Sequence, residues 1–113
     1  MQPLGLAYLH VIESPPDAGF SALELARRHW DGAIVANSGG WELWDADDAQ
    51  AIVAAGHADL VSFGRQFLAN PDLAKRLRLG AHLNEPEQAT FYGGNERGYT
   101  DYPRLDEELQ DAA

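Results

Sequence analysis

Three times in succession the chain runs through a short apolar stretch, a breaker or glycine turn, and a segment of helical length. This alternation limits the folds open to it more than any other feature. The first apolar run, Leu4-Gly5-Leu6-Ala7-Tyr8-Leu9-His10-Val11-Ile12, is nearly continuous, as expected of a strand covered on both faces. The cluster Ser14-Pro15-Pro16-Asp17-Ala18-Gly19 separates it from a helix expected over Ser21 to His29, with Ser21 as N-cap and Glu24 completing a capping box. The second strand, Ala33-Ile34-Val35-Ala36-Asn37, stops at Ser38-Gly39-Gly40. Its helix is expected from Asp45 to about Ala55, with Asp45, Asp47 and Asp48 at the positive end and Gly56 as the stop. The third strand, Asp59-Leu60-Val61-Ser62-Phe63, stops at Gly64-Arg65. Asn70-Pro71-Asp72 then opens a helix, with Pro71 at its first position and Gly80 at its end.

Strands that are apolar on both faces and alternate with helices imply parallel βαβ packing. The repeat of about 25 residues is near the ~31 per unit of a barrel with eight units in ~250 residues. The expected fold class is therefore α/β, a partial (β/α)8 TIM barrel. Residues 1–89 would hold three β/α units and residues 90–113 a C-terminal tail. That tail begins with the Gly- and Tyr-rich segment Thr90 to Pro103 and ends in a short acidic helix from Leu105. Three units cannot close a barrel, so association is expected.

Composition removes several function classes. The 113 residues include no cysteine, which excludes disulfides, thiolate metal sites and cysteine nucleophiles. A net charge of −10 argues against nucleic acid, whose phosphates are bound by Lys and Arg, and against an anionic membrane surface. No apolar run reaches the ~18 residues of a membrane helix, and Met1 to Ile12 lacks the basic lead and cleavage site of a signal peptide. The expectation is a soluble cytoplasmic protein.

The candidate chemistry sits where strands end. Ser38-Gly39-Gly40-Trp41 and Phe63-Gly64-Arg65 each place glycine after a strand and ahead of a helix. Glycine admits a ligand close to backbone N–H groups, helix N-termini favour anions, and Arg65 offers a planar fork suited to phosphate. Barrels often bind phosphate after their seventh and eighth strands. On composition alone, plain turns and an Arg65 paired with a surface carboxylate account for the same residues.

Further motifs bear on the choice. Leu6-Ala7-Tyr8-Leu9-His10-Val11-Ile12-Glu13 resembles the sixth strand of the old yellow enzyme family, and Ile34-Val35-Ala36-Asn37-Ser38-Gly39-Gly40-Trp41 the seventh with its loop. The stretch from Ala58 to Leu73, including Phe63-Gly64-Arg65 and Asn70-Pro71-Asp72, resembles the eighth. Leu83-Asn84, Thr90-Phe91-Tyr92-Gly93-Gly94 and Gly98-Tyr99-Thr100-Asp101-Tyr102-Pro103 follow in the order of the family's C-terminal signature. The resemblance runs from Leu6 to Pro103. It implies the last three units of an FMN-binding barrel that passes hydride from NAD(P)H through flavin to an activated alkene. It assigns Gly39, Gly40, Gly64 and Arg65 to the FMN phosphate, and places Tyr92 and Phe91 at the substrate mouth.

Three departures concern loop shape. Ser14 follows Glu13 where the family has proline, the segment between Glu13 and Phe20 is short, and Trp41 replaces a smaller aromatic residue. A fourth concerns catalysis. The family's substrate-anchoring histidine pair (or histidine and asparagine), proton-donating tyrosine and flavin-tuning residues belong to strands one to five, so no catalytic residue is assigned here. The expected function is the FMN-phosphate-binding part of a flavin-dependent alkene reductase, inactive as an isolated chain and in need of a chain supplying the missing strands. The alternative is a non-catalytic scaffold or interaction module derived from that family. His10 is expected to be a satisfied core histidine, while His29, His57 and His82 lack mutual ligand spacing and imply no metal. Trp30 and Trp44 are expected to pack, and Tyr99 and Tyr102 to pin the tail.

Overall fold

A computed structural model describes residues 5–39 and 43–112. They pack as two compact units that meet in sequence between Ser62 and Phe63. The first unit holds β1 (Tyr8–Ile12), α1 (Ala22–His29), β2 (Ala33–Asn37), α2 (Ala46–Ala54) and β3 (Leu60–Val61). The strands form one parallel sheet in the order β1-β2-β3, with Tyr8 opposite Ala33, Ile12 opposite Asn37, and Val35 opposite Leu60. Parallel neighbours require crossovers, and α1 and α2 supply them.

The core lies on one face of this sheet. Leu23, Trp30, Ile34, Ala36 and Ala58 are buried together, with Leu9, Val11, Ile52 and Val61 packed against them. Trp30 donates its indole N–H to Ala33 O at 3.1 Å, and Gly32 is tight against it: an added Cβ would stand 2.7 Å from the ring. Of the three strands, β2 alone has fully buried residues. In β1, exposed Tyr8, His10 and Ile12 alternate with half-buried Leu9 and Val11. The expectation of burial on both faces fails at β1, where Tyr8, His10 and Ile12 on the second face stay exposed and the outer edge pairs with no strand among the described residues.

Helix ends follow local chemistry. Ser21 is the N-cap of α1 and accepts from Glu24 N–H. The carboxylate completing this cap is Glu13 rather than Glu24: it takes N–H bonds from Ser14 and Ala22, both at 2.8 Å, and the Ser21 hydroxyl at 2.8 Å. The Ser14 hydroxyl accepts from Ala22 N–H as well. Serine in place of proline therefore adds both a donor and an acceptor to this junction. For α2, Asp45 and Asp48 form a complete capping box.

The second unit holds α3 (Arg65–Ala69), α4 (Leu73–Leu79), a 3-10 turn (Gln88–Thr90) and α5 (Leu105–Ala112). Sequence reading gives one helix opened by Pro71; the structure has two, and α4 starts at Leu73 with Asp72 as its N-cap. Asp72 has a non-helical backbone and makes no side-chain cap bond; its carboxylate accepts instead from Arg76 Nε at 2.8 Å and from Leu105 N–H at 2.9 Å. Gly80 closes α4 in the left-handed conformation. The tail is held by buried polar groups. Arg76, fully buried, donates to His82 O and Pro103 O, both at 2.9 Å. Asn70, also fully buried, accepts from Asn84 N–H at 2.7 Å, and the Asn84 carboxamide donates to Ala69 O and Pro103 O. Tyr102 accepts from Glu87 N–H at 2.7 Å, as expected of a pin. Tyr99 is 70% exposed, so most of its ring faces away from the packed tail, contrary to expectation. No helix among the described residues is long and apolar enough to cross a membrane.

Candidate functional site

The loop after β2 is organised by Asn37. Its Oδ1 accepts the N–H of Gly39 at 2.8 Å, and Gly39 has φ +76°, a backbone region that favours glycine. The other end of the Asn37 carboxamide is also fixed: Nδ2 donates to Ser62 O at 3.2 Å and to Ser62 Oγ at 2.9 Å. Ser62 Oγ in turn lies 2.8 Å from His10 Nε2. Because strand side chains alternate, His10, Asn37 and Ser62 share the face opposite Ile34 and Ala36. His10 is therefore exposed and hydrogen-bonded, which corrects the expectation of a core histidine. Its apolar sequence neighbours Leu9 and Val11 point to the core side instead. Gly40 and Trp41 lie outside the described residues.

The loop after β3 leads from Gly64 into α3, which Arg65 opens. Gly64 has φ −93°, open to any residue, and an added Cβ would meet nothing within 4 Å. Nothing in its own unit requires glycine there, whereas a group approaching from outside would. Arg65 is exposed, its guanidinium carbon 5.8 Å from the centre of the Phe91 ring. The ion pairs among the described residues do not include it. Phe91 is half-buried and meets Tyr92 edge to face, ring centres 6.4 Å apart, with Tyr92 96% exposed. Phe91 and Arg65 thus belong to one constellation, which sequence spacing did not indicate.

Acidity is perturbed elsewhere. Hydrogen bonds from Ile34 N–H and then from Arg27 hold the Asp59 carboxyl below its ordinary value. Burial would raise Asp72, but the bonds from Leu105 N–H and Arg76 outweigh it and leave that carboxyl lowered too. Both carboxylates brace backbone and lie outside the two glycine loops. Arg27, which sequence reading passed over, is the counterpart of Arg76 in the first unit: it donates to Gly56 O, Gly32 O and Asp59. Among the described residues no group of three or more His, Asp or Glu is arranged to hold a metal ion.

Residues 3–84 match the model of the NADH:flavin oxidoreductase / NADH oxidase family. The chain belongs to this family. Among its relatives, a 12-oxophytodienoate reductase-like protein of Solanum lycopersicum is 40% identical over 107 residues, covering 94% of this chain and 29% of its own length. 12-Oxophytodienoate reductase 1 of Oryza sativa subsp. japonica is 45% identical over 82 residues, 72% of this chain and 20% of its own. Among solved structures, morphinone reductase in complex with tetrahydroNAD aligns over 92% of the chain and 27% of its own, with 49% identity and a TM-score of 0.74. The old yellow enzyme from Trypanosoma cruzi aligns over 91% and 27%, with 33% identity and a TM-score of 0.80. The chain thus spans less than two fifths of the length of the relatives it matches. Its place in this FMN-dependent oxidoreductase family covers both glycine loops.

Proposed function

We propose that this chain is the FMN-phosphate-binding part of an alkene reductase built on a β/α barrel, supplying the barrel's last three units. The observation that carries the reading is Arg65: an exposed cation beside a glycine that its own unit does not require, and free of carboxylate partners among the described residues. A phosphate meets both conditions, since it needs close backbone approach and a charged fork. Gly64 and Arg65 are assigned to the phosphate on this geometry and the resemblance. Gly39 and Gly40 are assigned on the resemblance. Gly39 N–H is already donated to Asn37, so it reaches an anion only by sharing or exchanging that bond. Phe91 supports the Arg65 fork, and Tyr92 is assigned to the substrate mouth.

Bound FMN would take hydride from NAD(P)H and deliver it to the activated alkene. The protein's contribution from these residues is to bind and orient the flavin's phosphate end. The family's proton donor and substrate anchors would come from strands one to five. The partner is then a polypeptide carrying those strands, and the one-sided pairing of β1 and β3 supports this. Self-association through the same edges is the alternative.

Co-expression with the first five β/α units of a family member tests this reading. The expected product is a yellow complex with about one FMN per pair and NAD(P)H-dependent reduction of a cyclic enone. A stable complex that holds no flavin would contradict it and favour a scaffold.

A further inference from the structure

The bonds around Ser62 link all three strands on the sheet face opposite the core. His10 comes from β1, Asn37 from the end of β2, and Ser62 follows β3 directly. Since β1 and β3 do not pair with each other, the His10–Ser62 contact is a side-chain link between the two outer strands. Its far end is the Asn37 carboxamide, which has two possible orientations. Only with Nδ2 toward Ser62 does Oδ1 face Gly39 N–H, and Ser62 selects this orientation by presenting two acceptors, O and Oγ.

The Ser62 hydroxyl has one proton to give. It can go to His10 Nε2 at 2.8 Å or to Ala36 O at 3.4 Å. The shorter bond fits the first arrangement, with neutral His10 as acceptor and the Oγ lone pairs left for Asn37. If His10 Nε2 carries the proton instead, it donates to Oγ and the hydroxyl turns to Ala36. His10 keeps the hydroxyl oxygen over Asn37 in both cases.

We propose that His10 and Ser62 are positioning residues: through Asn37 they hold the left-handed turn at Gly39, and so set the direction in which the amides of this loop leave β2. That the turn serves a phosphate rests on the function proposed above. The relay itself is a property of the first unit and can be read without a ligand.

The test uses the full 113-residue chain, 15N-labelled, with amide exchange followed by NMR. Gly39 N–H should be protected in the wild type. It should exchange about five- to tenfold faster in Ser62→Ala, His10→Leu and Asn37→Ala, the size expected for losing one neutral hydrogen bond. Ser62→Thr and His10→Gln retain a group able to bond in the same place, so both should restore protection. The β2 amides serve as the folding control and should be unaffected. Wild-type exchange at Gly39 in both Ser62→Ala and His10→Leu would overturn the relay, as would failure of both conservative variants to restore it. A second arm uses the co-expressed assembly and adds FMN or riboflavin, which differ in the phosphate. The wild type should prefer FMN, and His10→Leu should reduce that preference several-fold while leaving riboflavin affinity unchanged. Equal affinities in the wild type contradict the phosphate assignment, whereas the exchange rates decide the relay on their own.

Discussion

Arg76 and Arg65 show what the same residue type does in opposite settings. Arg76 is fully buried, and its guanidinium is taken up by Asp72, Glu108 and the carbonyls of His82 and Pro103. Arg65 is exposed and stands over an aromatic ring. Removing a buried cation leaves its partners unpaired, so Arg76→Ala should destabilise the chain by about 3 to 5 kcal/mol. Urea denaturation measures this, and a loss below about 1 kcal/mol would mean the tail is held by other contacts. Sequence alone distinguishes these arginines only weakly. Arg76 shares a helix face with Leu73 at spacing i, i+3 and follows Asp72 by four, but burial of a charge depends on carbonyls at residues 82 and 103. Glycine following a strand, in contrast, is a local signal, but at Gly64 and Arg65 it fits a plain turn as well as a ligand site, and only the wider run of motifs separates the two.

At the scale of elements, chain chemistry at short range was legible and closure at long range was not. Ser21 was readable as an N-cap, Gly56 and Gly80 as stops, and β2 to the residue, while Asp45 was read as the first acidic residue of α2 and is its N-cap. Glu13 was not readable as a cap, because it reaches α1 from eight and nine residues away. Asp45→Ala should cost roughly 1 kcal/mol by removing one leg of the α2 box, seen as a lower denaturation midpoint; an unchanged midpoint would show the box to be idle. Two carboxylates make stability depend on acid. Asp59 and Asp72 both have lowered values in the folded chain. Their contribution is therefore complete above the ordinary carboxylate value of 3.8 and is lost as pH falls through the lower folded values. The chain should lose stability as pH falls below about 4. Asp59→Asn and Asp72→Asn should each flatten that slope in urea titrations at successive pH values, and slopes equal to wild type would remove these two groups as the cause.

At the scale of the whole molecule, the sheet edges govern how the lone chain should behave. Among the described residues β1 and β3 each pair on one side, and Tyr8, Ile12 and Leu60 are about three-fifths exposed. Unpaired edges of this kind favour association, so light scattering should show the lone chain to be larger than a monomer. A monodisperse monomer with a sharp melt would contradict this. Enone reduction with NAD(P)H and added FMN should be absent, because positioned acids and charge-stabilising groups are worth orders of magnitude in rate. The parallel alternation of strand and helix was legible in the sequence. The division between Ser62 and Phe63 was not, because it depends on which residues the packing brings together. The central claim concerns the phosphate, and Arg65 tests it most directly. FMN fluorescence quenching should be titrated in the co-expressed assembly for wild type, Arg65→Ala, Arg65→Lys and Arg28→Ala. A lost charge-assisted bond should weaken FMN binding by about 10- to 150-fold in Arg65→Ala, with partial recovery in Arg65→Lys, whose point charge cannot reproduce the fork. Arg28, exposed on α1, should leave affinity within about twofold when replaced. Equal affinities for Arg65→Ala and wild type would contradict the account.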